Sequence, residues 1–235
     1  MKTAICISGQ PRQINEAYDN IKKNLIDPYS PDIFIHLWLD PINMGQDLIN
    51  SWGKNVGEVE YGVLSNVYDK YKPKKIKVEN QIPFKHVDNL PKEVKEKNEN
   101  YHFNMVSMLY SINEANNLKI QYEIENEFKY DIVVRNRFDL ELRSDINLLT
   151  LNLNEKIYCL KDCPYYNGVN DQFAVGNSEN MDIFSSTYKD LGGFIKNYQH
   201  YTDVLCGETC VYHTTWIRNK IPIEVLPTDY KILTK

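Results

Sequence analysis

The run Tyr130-Asp131-Ile132-Val133-Val134-Arg135-Asn136-Arg137-Phe138-Asp139-Leu140-Glu141-Leu142 carries two kinds of side chain in alternation. Successive side chains of a strand point to opposite faces. Ile132, Val134, Phe138, Leu140 and Leu142 therefore fall on one face, and Arg135, Arg137, Asp139 and Glu141 on the other. Upstream, Met105, Met108, Leu109, Ile112 and Ala115 recur at helical spacing, which predicts an amphipathic helix over about 103–127 that leads into this strand. A long helix feeding a strand is the crossover unit of a parallel sheet.

The N-terminal half repeats that grammar. Residues 2–8 read as a buried strand, broken by Gly9-Gln10-Pro11-Arg12 before a helical pattern over about 14–25. Asp32-Ile33-Phe34-Ile35-His36-Leu37-Trp38-Leu39 reads as a second strand between Pro31 and Pro41, and residues 75–78 as a third. Residues 43–72 mix Gly, Asn and Trp with a helical stretch, and the polar run 80–100 reads as a mobile connector. The expected fold is α/β, a mostly parallel central sheet with helices on both faces, in one domain over residues 1–235. Ligands in such sheets collect at the carboxyl ends of the strands.

Composition narrows the function. A chain of 235 residues with 42% hydrophobic residues supports a full core. A net charge of -5 and a pI near 5.6 argue against nucleic acid as a partner. No window holds the roughly 18 consecutive apolar residues of a membrane span, and the first residues are too short an apolar run for a signal peptide, so a cytoplasmic protein is expected, with room for peripheral action at a membrane. Five cysteines without a secretion signal imply reduced thiols. Cys159/Cys163 and Cys206/Cys210 share a C-x3-C spacing that a zinc ion could use; buried reduced cysteines are the alternative.

The charged face of the 130–142 run is the chemical signal. Two carboxylates two residues apart, Asp139 and Glu141, can share a divalent cation, and Arg135 and Arg137 can hold phosphate oxygens bidentately. Together they describe a metal-diphosphate site. The alternative is a solvated face whose arginines pair with its acids.

Arg135-Asn136-Arg137-Phe138-Asp139-Leu140-Glu141 resembles the R-x-R-x-D form of the D-x-D motif in bacterial and viral polysaccharide glycosyltransferases of GT-A type. Ile7-Ser8-Gly9-Gln10-Pro11-Arg12 is similar to their G-Q-x-R opening, the 32–38 strand follows in order, and Asn170-Asp171-Gln172-Phe173-Ala174-Val175-Gly176 looks like their D-Q-F-A-x-G segment. The second acid departs from that pattern, being Glu141. The resemblance implies a GT-A-like (Rossmann-like) fold, Mn2+ or Mg2+ on Asp139 and Glu141, and a nucleotide-diphosphate sugar donor. It implies transfer of a hexosyl or deoxyhexosyl group to a hydroxyl of a glycan or glycoconjugate. Ser8, Gly9, Gln10 and Arg12 would hold the nucleotide with Arg135 and Arg137, and His213 would be a third metal ligand.

Asp171 and Glu208 are the candidates for a general base on the acceptor hydroxyl. A turn Asp and a helix N-terminal acid are their structural alternatives. His36 is read as core or cleft-lining; Asn104, Ser107 and Ser111 either face the donor or belong to a polar helix face. A sugar nucleotidyltransferase is a second reading, weakened because the loop after the first strand has one glycine where a phosphate loop has several. A non-catalytic nucleotide- or carbohydrate-binding module is a third.

Overall fold

The computed structural model describes residues 1–49, 55–85, 90, 92–161, 163 and 167–234. The first half comprises β1 (Thr3–Gly9), α1 (Ile14–Ile21), β2 (Asp32–Trp38), β3 (Asp47–Ile49), β4 (Asn55–Glu58), α2 (Val63–Tyr71) and β5 (Lys75–Glu79). It continues with α3 (Lys92–Glu125), β6 (Ile132–Asn136), β7 (Leu140–Leu142), β8 (Ile157–Leu160), β9 (Ala174–Gly176), α4 (Ser178–Ser185), α5 (Thr187–Asn197), α6 (Gly207–Tyr212), β10 (Ile223–Leu226) and β11 (Tyr230–Ile232). The helix α1 extends through a π-helical stretch at Lys22–Ile26, and α6 through another at His213–Arg218.

Seven strands form the central sheet in the order β10-β8-β9-β6-β1-β2-β5, and only β9 runs against its neighbours. The expected α/β class with a mostly parallel sheet is the class observed. The sheet is covered on both faces, so β1, β2 and β6 are buried along almost their whole length and mostly apolar. Alternation then sorts their residues. Ala4, Cys6, Phe34 and Val133 face a core shared with α3, α4 and α5. Ile5, Ile7, Ile33, Ile35, Ile132 and Val134 face a second core, built with Ile14, Ala17 and Ile21 of α1 and Val63, Val67 and Tyr71 of α2. Ile35 is fully buried at the centre of that second core, and truncation to Ala there should cost about 2–5 kcal/mol.

From β1 the chain winds outward through β2 to β5, and α3 then carries it back to β6 on the other side of β1. The winding direction thus reverses between β1 and β6. At such a switch point the loops leaving the two strands diverge and open a crevice.

A buried charge cluster fixes where α3 ends. Lys119, fully buried, donates to Glu123, Asp182 and the Ser178 hydroxyl at 3.0, 2.7 and 2.6 Å. Glu123 in turn accepts from the Tyr130 backbone N–H at 2.9 Å, just before β6. Removing Lys119 would leave Glu123 and Asp182 to share the more exposed Lys129, which stands 3.1 and 3.7 Å from them, and should destabilise the fold.

Two expectations are corrected. The helix expected over 103–127 begins at Lys92, so the second part of the polar run expected to be a connector, residues 92–100, is helical. Residues 86–89 and 91 of that run, and Pro164, Tyr165 and Tyr166 on the approach to Asp171, lie outside the described residues. The 130–142 run is also not one strand. β6 stops at Asn136, Phe138 and Asp139 make a turn, and β7 pairs antiparallel with β11 in a separate two-stranded sheet. The alternation expected along the whole run therefore holds only in its first part.

Candidate active site

A cleft of about 260 Å³ opens at the carboxyl ends of β1 and β6. Ser8, Gly9, Gln10 and Arg12 line it from the loop after β1, and Arg135, Arg137, Phe138 and Asp139 from the end of β6 and the turn beyond. Asn104, Ser107, Met108 and Ser111 line it from α3, three and four residues apart and hence on one helix stripe. Trp38, the last residue of β2, and Gln81, just past β5, complete the wall.

Gly9 has φ 121°, a region that favours glycine, and a Cβ there would meet nothing within 4 Å. Backbone conformation, and not lack of room, selects glycine at this position. The following turn is closed by Arg12 N–H donating to Gln10 O at 2.9 Å, which aims Arg12 back across the cleft.

Arg12 and Arg137 clamp one carboxylate. Arg12 Nε donates to Asp139 Oδ2 at 2.6 Å, while Arg137 donates from Nε to Oδ1 at 2.8 Å and from Nη2 to Oδ2 at 2.9 Å. Asp139 is buried, which opposes its charge, but Arg137 and then Arg12 outweigh burial and hold it well below the usual carboxylate range. Its backbone is tied as well: Leu233 N–H donates to Asp139 O at 2.8 Å, so the C-terminal strand braces the turn.

Arg135 has no such partner. It is 2% exposed, and its Nε and Nη1 are buried without a hydrogen-bond partner among the described residues. Burial first, and then the charge of Arg137, pull its guanidinium down to about 9, with Asp171 and Asp139 opposing; it stays charged at neutral pH. Three guanidiniums against one carboxylate give the cleft wall a surplus of two positive charges. A buried cation with unused donors on such a wall is a demand for an anionic ligand.

Asp171 lies behind this wall. Asn170 Oδ1 accepts from the backbone N–H of Gln172 and Phe173 at 2.9 and 3.3 Å, an Asx turn that starts the path into β9. The turn role expected for Asp171 thus belongs to Asn170. Asp171 packs instead on the first residue of α6: a Cβ on Gly207 would lie 2.3 Å from Asp171 Oδ2 and 2.6 Å from Met108 Cε. Burial, and then the neighbouring charge of Glu208, push the Asp171 carboxyl up to about 7, against the pull of Arg135 and Arg137. That value suits a group that takes a proton at neutral pH. Neither Asp171 nor Glu208 lines the cleft surface itself; Met108 and Arg135, beside Asp171, do.

The structure does not bring the three expected metal ligands, Asp139, Glu141 and His213, together in one cleft. Glu141 sits on β7 opposite Lys231 and does not line the cleft. His213 lines a different pocket, its ring 4.6 Å from that of Phe194 and 4.5 Å from that of Tyr201. Among the described residues no three His, Cys, Asp or Glu side chains come together as a metal cluster, which also leaves the C-x3-C cysteines without a zinc site there. Cys159, Cys206 and Cys210 are buried, with the Cys206 thiol against Thr209 at the start of α6.

Sequence reasoning did not find Trp38, Gln81 and Met108. Trp38 carries a readable signal, since it is the last residue of an apolar strand and so lies where a parallel sheet opens. Gln81 and Met108 carry none: one is a loop amide, and the other reads as core.

No curated protein matches the chain. Among solved structures the chain is similar to the apo-form glycosyltransferase GlyE of Streptococcus pneumoniae TIGR4, at 13% identity and a TM-score of 0.46. That likeness covers 95% of this chain and 45% of the other, so this chain spans less than half of that protein's length. No helix among the described residues is long and apolar enough to cross a membrane. Residues 1–191, which hold the cleft walls and Asp171, match a family described as "Domain of unknown function (DUF7796)", and the chain belongs to that family.

Proposed function

We propose that the chain is a glycosyltransferase, one GT-A-like domain over residues 1–235, moving a hexosyl or deoxyhexosyl group from a nucleotide-diphosphate sugar to a hydroxyl of a glycan or glycoconjugate. The observation that carries this reading is the arginine wall: Arg135, buried with unused donors, beside Arg12 and Arg137 at the sheet's switch point. A diphosphate is the anion that fits it. It is also the group that gains charge as a sugar–phosphate bond breaks, so guanidiniums aimed at it stabilise the transition state more than the ground state.

Each group has a role on this reading. Arg135 holds phosphate oxygens directly, while Asp139 keeps Arg12 and Arg137 oriented. Asp171, and failing it Glu208, takes the acceptor proton in an inverting transfer. The residues do not fit a divalent cation. Both Asp139 oxygens already accept from guanidiniums, and Glu141 and His213 are elsewhere. Charge compensation falls to the arginines.

A nucleotidyltransferase would attack the phosphate itself and needs a glycine-rich cradle around it, whereas the loop here has one glycine. The test is a panel of nucleotide sugars incubated with the full chain, scored by thermal shift and by release of nucleoside diphosphate. Stabilisation by one family of nucleotide sugars with slow hydrolysis or transfer is the expected result. Pyrophosphate release from a nucleoside triphosphate and a sugar 1-phosphate would replace this reading with the nucleotidyltransferase, and stabilisation without turnover of any kind would replace it with the binding module.

A further inference from the structure

Beneath the uncharged end of the cleft lies a chain of three side chains that the transfer chemistry does not use. His36 is fully buried on β2, and its Nδ1 stands 2.7 Å from the Ser111 hydroxyl of α3. Its Nε2 stands 2.9 Å from Glu79 Oε2 of β5. Ser111 lines the cleft.

The direction of each hydrogen bond follows from what each group can do. Glu79 also accepts from Tyr110 OH at 3.0 Å and pairs with Lys77 at 2.9 Å, as an ionised carboxylate does. A carboxylate only accepts, so His36 must present Nε2–H to it. In the neutral ring that leaves Nδ1 as a bare acceptor, and the Ser111 O–H is the proton that fills it. Burial, opposed by Glu79, pulls His36 below its ordinary value, which keeps the ring neutral at pH 7. The Ser111 hydroxyl has then spent its one donor inward and shows the cleft lone pairs alone.

We propose that Glu79 and His36 polarise Ser111 into a fixed hydrogen-bond acceptor, making it a specificity residue that selects an N–H or O–H donor on the uncharged part of the bound ligand. The inference rests on the nucleotide-sugar reading and divides the cleft in two: the arginines take the phosphates, and Ser111 reads the base or the sugar. His36 is a positioning residue that acts through Ser111. A free serine hydroxyl would rotate and accept either polarity; this one is locked.

The test is calorimetry on the full chain with three probes: inorganic pyrophosphate, nucleoside diphosphates and hexose 1-phosphates. Ser111→Ala should weaken binding of a probe bearing the selected donor by about fivefold to tenfold, and leave pyrophosphate unchanged. Ser111→Thr, which keeps the hydroxyl, should retain affinity. His36→Phe, which frees the Ser111 hydroxyl to rotate, should weaken the same probe by less than Ser111→Ala does and relax its preference for a donor, and His36→Gln, whose amide can accept from Ser111 and donate to Glu79, should restore both. Loss confined to the nucleoside diphosphates makes the base the donor; loss confined to the hexose phosphates makes it the sugar. If Ser111→Ala binds all probes as the wild type does, this inference fails while the nucleotide-sugar reading stands. If the wild type binds none of the probes, both fall.

Discussion

Arg12 and Asp139 are 127 residues apart in the chain and meet at 2.6 Å across the mouth of the cleft. The pair joins the loop after β1 to the turn after β6, the two segments that diverge at the switch point. It is largely buried, with 15% of the Arg12 side chain and 3% of the Asp139 side chain exposed. It is also shared, because Arg137 grips the same carboxylate.

Breaking that clamp from the acid side should cost stability. Asp139→Asn leaves two largely buried guanidiniums facing a neutral amide, and the unfolding free energy should fall by about 3 kcal/mol in urea titrations at pH 7. Because the native carboxyl is held well below its unfolded value, its contribution is present above the unfolded pKa near 3.8 and is lost only as the pH falls through the lower native value. The difference between wild type and variant should therefore be full at pH 7 and still substantial at pH 5. An equally stable variant would make the clamp incidental.

Arg135 should trade stability against binding. With Nε and Nη1 unpartnered, it costs the free protein something near 1–3 kcal/mol. Arg135→Met should raise the unfolding temperature of the free protein while weakening pyrophosphate or nucleotide-sugar binding by about 100-fold, roughly 2.7 kcal/mol. Arg135→Lys should bind weakly as well, since the charge remains but the planar fork is lost. A destabilised Arg135→Met that binds normally would give this residue a purely structural role.

Asp171 gives a pH signature of opposite sign to that of Asp139. Its folded value near 7 lies above its ordinary 3.8, so between those limits the folded state holds more protons and wild-type stability falls as pH rises. Asp171→Asn does not titrate, so its advantage should be absent at pH 4 and grow to roughly 4 kcal/mol at most above pH 7. In turnover, the same variant should lose about 100-fold in kcat with little change in donor Kd if Asp171 takes the acceptor proton. A silent Asp171→Asn with an inactive Glu208→Gln would move the base role to Glu208.

Metal chelation should not weaken the donor site. With Asp139 saturated by arginines, the affinity for pyrophosphate should stay within about twofold, well under 1 kcal/mol, when EDTA replaces manganese in the titration. Tightening of tenfold or more by manganese would mean that a cation can displace the guanidiniums from Asp139.

The layered α/β fold is legible in the order of the residues, because the evidence for it is local. Short apolar runs such as Ala4-Ile5-Cys6-Ile7 and Ile33-Phe34-Ile35, bounded by breakers, read as strands buried on both faces, and the repeat from Met105 to Ala115 reads as one helix face. The sequence also put Ser8, Gly9, Gln10, Arg12, Arg135, Arg137 and Asp139 at strand ends, and these line one cleft. The character of that cleft depends on contacts made in the folded chain. Alternation extends no further than the strand, so the turn at Phe138 and Asp139 sends Glu141 into another sheet, where it faces Lys231. Ion pairing depends on neighbours brought from across the chain, and it is Arg12 as much as Arg137 that turns an expected metal ligand into a clamp for arginines. The same holds for Asp171, whose carboxyl value is set by burial on Gly207 and by Glu208, groups that meet it only when α6 packs beside Met108 in the middle of α3.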